Sequence, residues 1–172
     1  PVAHSFPTRR SSDLAWGVWE NYGYRNDREA LAYALPRLER ALEWNLTNRD
    51  TNGNGLLEWW IEETPTSRSG ESGMDNSPRF DEALSLDAVD FSTFQALDMA
   101  VTARIAETLG QSEKADRWKA RAAAMRERIH RLASTLLAEA DTGDTPIRLL
   151  GVSLHHLDRS GAVQLELPWA RS

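Results

Sequence analysis

Regularly spaced apolar residues constrain the fold of this chain more than any other feature of its sequence. One series recurs at intervals of four, three, four and four residues, which is the spacing of one face of an α-helix; it consists of Leu31, Leu35, Leu38, Leu42 and Leu46. A later series has the same period and consists of Trp118, Ala122, Met125, Ile129, Leu132 and Leu136. A third lies between them and consists of Val89, Phe91, Phe94, Leu97, Val101, Ile105 and Leu109. The sequence therefore predicts long amphipathic helices.

Polar residues and breakers predict where these helices begin and end. Residues 15–24 form a short helix, and Asn26, with a Glu three positions later, resembles the start of a second helix. Pro36 interrupts that helix, so we expect a kink or a new helix there. Asp87 is a candidate cap for the next helix, and Gly110 is a stop signal.

Ser112 can cap a further helix, and the two helices, joined by Gly110 and Gln111, then form a hairpin. Repeated helical hairpins indicate an all-α solenoid or toroid. We find no internal repeat of fixed period, which disfavours the common solenoid families.

Composition narrows the functional classes. The 172 residues include 20 Lys and Arg against 26 Asp and Glu, for a net charge of −6, which argues against general nucleic-acid binding. The chain has no Cys, so disulfides and thiolate chemistry are excluded. No apolar run is long enough for a membrane span, so we expect a soluble protein, cytoplasmic or periplasmic.

The two ends differ in character from the middle. Residues 4–14 resemble the translation of a sequencing adapter, so we treat 1–14 as an artefactual segment. Because the natural start is then lost, the sequence leaves the compartment open. We expect the domain to occupy 15–140, and residues 141–172 to form a tail whose reading frame is uncertain.

The loop after the first long helix contains a pattern typical of calcium loops. Asp50, Asn52, Asn54 and Glu58 stand at relative positions 1, 3, 5 and 9, with Gly at position 6. The bidentate Glu expected at position 12 is absent, so Glu62, Glu63 or a distant acid would have to complete a structural Ca²⁺ site. The alternative is a turn cluster that binds no metal.

A second motif follows between Glu71 and Asp81. Gly73 permits close backbone approach, Asp75 can transfer a proton, and Arg79 can orient a carboxylate or a sugar hydroxyl. The preceding Trp59–Trp60 pair could supply an aromatic platform. By residue type alone, an Asp in such a Gly-, Ser- and Pro-rich loop is more often a turn residue than a catalyst.

The string Glu-Ser-Gly-Met-Asp-Asn-Ser-Pro-Arg at 71–79 resembles the signature of glycoside hydrolase family 63 and its bacterial relatives, which include processing α-glucosidases and mannosylglycerate hydrolases. The segments 15–20, 49–56 and 89–94 resemble further family motifs in the same order. The resemblance covers about 15–133 and implies an (α/α)6 barrel, a toroid of six helical hairpins.

The resemblance also implies a mechanism. These enzymes resemble inverting glycosidases, in which a protonated carboxyl donates to the leaving oxygen and a carboxylate roughly 6.5–9.5 Å away activates water. By this resemblance Asp75 is the general acid, Arg79 braces the loop or a substrate hydroxyl, and Gly73 lets backbone approach the sugar. Trp16 and Trp19 are candidates for stacking on a sugar ring, with hairpin packing as the alternative.

No segment resembles the family's general-base motif, so we expect no glycosidase activity from this chain alone. The substrate, an α-linked glucoside or related glycoside, stays open, as does the oligomeric state. The alternatives are a non-catalytic helical module with a structural calcium loop and, less favoured, a helical scaffold for protein partners.

Overall fold

The computed structural model describes residues 14–60, 72 and 85–139. The chain divides into two units, Pro1–Ala138 and Glu139–Ser172, and the description below concerns the first. Four α-helices and two short strands follow one another as α1 (Leu14–Arg25), α2 (Arg28–Asn48), β1 (Glu58–Trp60), β2 (Ser85–Asp87), α3 (Val89–Thr108) and α4 (Ser112–Glu139). The predicted all-α class is confirmed.

Contacts between the helices fix their relative directions. The backbone N–H of Ala15 donates to Asp98, and Trp19, one turn later, lies against Arg104, so α1 and α3 run parallel. Glu39 of α2 meets the first two turns of α4, and Glu43 meets Arg121 farther along, so α2 and α4 also run parallel. The first helices of the two hairpins thus share one direction and the second helices share another, as in neighbouring hairpins of an (α/α)6 barrel.

Apolar side chains of all four helices form two core clusters. One cluster joins α2, β1, α3 and α4 around Trp118, which is fully buried. The other joins α1, the first half of α2 and the second half of α3, with Leu31, Leu35 and Ile105 at its centre. The predicted apolar face of α2 is confirmed, because all five of its leucines join these clusters, and that of α4 is confirmed from Trp118 to Leu132.

The predicted N-cap of α2 is wrong, and so is the new helix that was one of the two expectations at Pro36. Its N-cap is Asp27, whose side chain accepts from the Ala30 N–H at 3.0 Å, whereas Asn26 has a φ of 50° and forms the turn. Pro36 does not divide the helix, which is continuous from Arg28 to Asn48. Pro36 lies on the exposed face, where a carbonyl deprived of its helical partner can reach water.

The predicted apolar face of α3 is correct only in part. Phe91, Val101 and Ile105 are buried, but Val89 and Phe94 are exposed. The helix instead buries a row of polar side chains, consisting of Ser92, Gln95, Asp98 and Thr102. Packing on several sides causes this difference, because α3 contacts α1, α2 and β1 and leaves little of its surface to solvent.

The predicted boundary between α3 and α4 is confirmed. Gly110 follows α3 with a φ of +78°, a conformation that glycine adopts at low cost. The predicted cap at Ser112 is wrong, because Ser112 is the first residue of α4 and the Gln111 carbonyl accepts from the Ala115 N–H at 3.1 Å. Among the helices that the structure describes, none is both long and apolar enough to cross a membrane.

Candidate functional site

The signature segment begins and ends at neighbouring points of the fold. Strands β1 and β2 pair antiparallel, with Glu58 opposite Asp87 and Trp60 opposite Ser85. The 61–84 segment therefore leaves and re-enters the described structure at the same end of this ribbon. Gly73, Asp75 and Arg79, predicted to bind and cleave the substrate, lie outside the described residues.

The Asn-rich loop, residues 50–58, precedes this ribbon and is held by its own side chains. The Asp50 carboxylate accepts from the Gly55 N–H at 2.9 Å. Asn52 and Asn54 each accept from the backbone N–H two residues ahead, at 3.0 and 2.8 Å. The side-chain to backbone hydrogen bonds of the predicted turn cluster are therefore present. Asp50, Asn52 and Asn54, which were also predicted as metal ligands, shape the loop through them.

Glu58, the predicted ligand at position 9, is buried with 2 % of its surface exposed. Its carboxylate accepts from the Thr51 hydroxyl at 2.5 Å and from the Asn52 N–H at 3.2 Å. Its backbone N–H donates to the Arg49 carbonyl at 2.6 Å. Glu58, the first residue of the ribbon, thus holds both ends of the Asn-rich loop together.

Asp87 completes this cluster, although sequence reasoning assigned it another role. The predicted cap of α3 is wrong, because the N-cap position is Ala88. The Asp87 carboxylate accepts from the side-chain amides of Asn52 at 3.1 Å and Asn54 at 2.7 Å. An Asp just before a helix predicts an N-cap from sequence alone. The contact of Asp87 with the distant loop is visible only once β1 pairs with β2.

The loop offers hard oxygen ligands of mixed type. Among the residues that the structure describes, no group of three His, Asp or Glu side chains is arranged to hold a metal. Carboxylates and amides together nevertheless surround the loop, and Asp50 Oδ1 is buried without a hydrogen-bond partner. A buried, unpartnered carboxylate oxygen is costly, and a cation would satisfy it. Carboxylate and amide oxygens are the types that Ca²⁺ binds in proteins, so the structural Ca²⁺ site stays a prediction.

The two tryptophans predicted to stack on sugar differ in their surroundings. Trp16 is 42 % exposed and can present its ring to a ligand. Trp19 is partly buried beside the second core cluster, with the Arg104 guanidinium 4.6 Å from its ring and Tyr22 at 5.4 Å. Trp16 thus has the accessibility that stacking requires, whereas the contacts of Trp19 fit the packing alternative.

The predicted Trp59–Trp60 platform is wrong for its first member. Trp59 is buried, stacks on Phe91 at 4.4 Å and donates from its indole N–H to Asp90 at 3.0 Å. Trp60 is 51 % exposed and rests on the buried Arg49 guanidinium, 3.7 Å from the ring. Alternation along β1 explains the difference, because successive side chains of a strand point to opposite faces.

Comparison with known protein families identifies the family of this chain. Residues 3–139 match the family described as the mannosylglycerate hydrolase MGH1-like glycoside hydrolase domain. The chain belongs to this family. The glycoside hydrolase domain therefore has a carbohydrate as its class of substrate, and the family agrees at a coarse level with the resemblance found in the sequence. The matched range includes part of the 1–14 segment, whose adapter origin stays a prediction.

The match ends one residue before the domain end expected at 140. Neither the curated proteins nor the solved structures gave a significant match.

Proposed function

We propose that this glycoside hydrolase domain belongs to an inverting enzyme that cleaves an α-linked glucoside or a related glycoside. The family match carries the proposal, because it spans the signature at 71–79 as well as the described helices. In this proposal Asp75 protonates the leaving glycosidic oxygen, and a carboxylate on the opposite side of the sugar activates water.

The contacts of the ribbon support a role in holding the signature segment. Pairing between β1 and β2 joins the ends of the segment, and Asp87 attaches the second strand to the Asn-rich loop. Precise positioning of an acid relative to its substrate accounts for much of catalysis. Trp16 stacks on the sugar, Gly73 lets backbone approach it, and Arg79 braces the segment or a substrate hydroxyl.

The chain supplies the acid but contains no segment that resembles the general-base motif. We therefore propose that it binds α-linked glycosides without hydrolysing them. Saturation-transfer NMR with α-linked glucosides and mannosylglycerate tests binding, and release of reducing sugar tests turnover. We expect binding by the wild-type chain and by Asp75→Asn, weaker binding by Trp16→Ala, and no sugar release from any of them.

A matched control is Trp44→Ala, because Trp44 is exposed to a similar extent on α2, away from α1. Equal loss of binding in Trp44→Ala and Trp16→Ala would contradict the role of Trp16. Sugar release that Asp75→Asn abolishes would contradict the absence of a base. Failure to bind any α-linked glycoside would favour the alternative of a non-catalytic helical module.

We also propose that the Asn-rich loop binds a structural Ca²⁺ through Asp50, Asn52, Asn54 and Glu58. Asp87 is the distant acid that the missing position-12 Glu requires, since its carboxylate lies within 3.1 Å of the Asn52 amide and 2.7 Å of the Asn54 amide. The unpartnered Asp50 Oδ1 is the observation that favours this site. Such a cation would fasten the loop to the ribbon and take no part in the chemistry.

Thermal unfolding of chelated protein with and without added Ca²⁺ tests this site. We expect Ca²⁺ to raise Tm, because a ligand that binds only the folded state stabilises it, and we expect Asp50→Asn and Asp87→Asn to reduce the effect. Asp116→Asn, on the exposed face of α4, is the control and should respond as wild type does. An unchanged Tm on addition of Ca²⁺ would refute the site.

A further inference from the structure

A shallow cavity of about 320 Å³, largely open to solvent, lies between the Asn-rich loop and the second half of α4. Arg128, Arg131, Leu132 and Thr135 line it from α4, and Asn54, Leu56 and Asp87 line it from the opposite side. The cavity thus combines two guanidinium groups, one carboxylate, one amide, one hydroxyl and two apolar side chains in a space large enough for a small ligand.

The two positive charges on the α4 side of this cavity have no acidic partner among the described residues. Arg128 and Arg131 form no ion pair or hydrogen bond with any residue that the structure describes, whereas other cations of α4, Lys114, Lys119 and Arg121, pair with acids. Asp87 is the carboxylate of the lining, and both its oxygens already accept hydrogen bonds from amides. The two arginines therefore retain their donors for a ligand.

Arg128 is also held close to the loop. A Cβ on Gly55 would lie 2.4 Å from Arg128 Nε and 2.7 Å from its Cζ, so the guanidinium rests where only glycine leaves space. Gly55 also has a φ of +82°, which favours glycine at this point. This approach places one planar fork of donors at the edge of the cavity.

We propose that this cavity binds a small organic carboxylate. A guanidinium presents paired donors that match a carboxylate in two parallel hydrogen bonds, and the cavity offers two such groups on successive positions of one helix face. Leu56 and Leu132 supply apolar walls for the carbon skeleton of the ligand, which an inorganic anion would not use. This proposal does not depend on the proposed sugar chemistry.

Isothermal titration of the full chain with malonate tests the proposal, at a constant ionic strength of about 0.15 M so that general screening is unchanged. We expect saturable binding at one site, with Kd raised about tenfold or more in Arg128→Gln and in Arg131→Gln because each loses a charged hydrogen-bond pair. Arg126→Gln is the matched control, since Arg126 is an exposed arginine of α4 outside the cavity lining. It should bind as wild type does.

A second titration with inorganic phosphate distinguishes the class of anion. We expect weaker binding of phosphate than of malonate, because phosphate has no carbon skeleton to contact Leu56 and Leu132. Equal affinity for the two anions would overturn the assignment to a carboxylate. No saturable binding of malonate, or the same affinity in wild type, Arg128→Gln and Arg131→Gln, would overturn the site itself.

Discussion

Two independent features of the structure favour glycine at position 55. Its φ of +82° lies in the left-handed region, and a side chain there would meet Arg128. Gly53, two residues earlier, has a similar φ of +73° but open space around the position of a Cβ. The pair therefore separates the cost of backbone strain from the cost of steric contact within one loop.

We expect Gly53→Ala to lower the free energy of unfolding by about 1–2 kcal/mol, because an L-residue pays that much in the left-handed region. Gly55→Ala should cost slightly more, since it must also displace the flexible end of the exposed Arg128 side chain. Urea unfolding of both variants measures the difference. In an Arg128→Ala background the excess cost of Gly55→Ala should disappear, and its persistence would contradict the steric argument.

At the scale of elements, α3 organises its neighbours through buried polar side chains. Ser92 accepts from the Leu57 N–H at 2.9 Å, and Asp98 accepts from the Ala15 N–H at 3.2 Å. Gln95 donates to the Leu42 carbonyl at 3.1 Å and accepts from Asn45 at 2.9 Å. One helix thus satisfies backbone groups of α1, α2 and the segment that leads into β1.

We expect Ser92→Ala to lower the free energy of unfolding by about 1–3 kcal/mol, because the Leu57 N–H then stays buried without an acceptor. Thr93→Ala is the matched control, since its hydroxyl is exposed and bonds only to Val89 of the same helix. Thermal or urea unfolding of the two variants makes the comparison. Equal losses would show that the long-range bond of Ser92 contributes nothing of its own.

At the scale of the whole molecule, Glu39 joins the two hairpins. Its carboxylate accepts from Lys114 Nζ at 2.8 Å, Arg117 Nη2 at 3.0 Å and the Trp118 indole N–H at 3.1 Å. Burial acts to raise the pKa of Glu39, but hydrogen bonds from Lys114 and Trp118 and the nearby positive charges outweigh it. The pKa of this carboxyl therefore lies below its ordinary value of 4.5.

A lowered folded-state pKa means that protonation favours unfolding, so the contribution of Glu39 is complete above pH 4.5 and is lost as the pH falls through the folded-state pKa. We expect Glu39→Gln to lower the free energy of unfolding by about 1–3 kcal/mol near neutral pH. The difference from wild type should shrink under acid conditions. Thermal unfolding of both proteins across this pH range measures it.

Glu43→Gln is the control, because Glu43 pairs with Arg121 on the exposed surface and such pairs contribute little. It should shift Tm only slightly at every pH. A pH-independent difference between Glu39→Gln and wild type would show that the side chain acts through packing instead of charge.

The sequence by itself determined the helices that have one apolar face. The periods of α2 and α4 and the stop at Gly110 depend on local spacing and backbone preference, and the structure retains all of them. The family signature likewise predicted a glycoside hydrolase, which the family match confirms at that level. The catalytic role of Asp75 stays a prediction.

Only the tertiary structure decided which contacts join distant segments. Asp87 looks like a helix cap until β1 pairs with β2 and brings it to the Asn-rich loop, and Phe94 looks like a core residue until α3 buries its polar row instead. Periodicity reports the face of a helix packed on one side, so it fails for a helix surrounded on several sides. The cavity between Arg128 and Asp87 could not be predicted either, because its residues are far apart in the sequence and become neighbours only when α4 packs beside the loop.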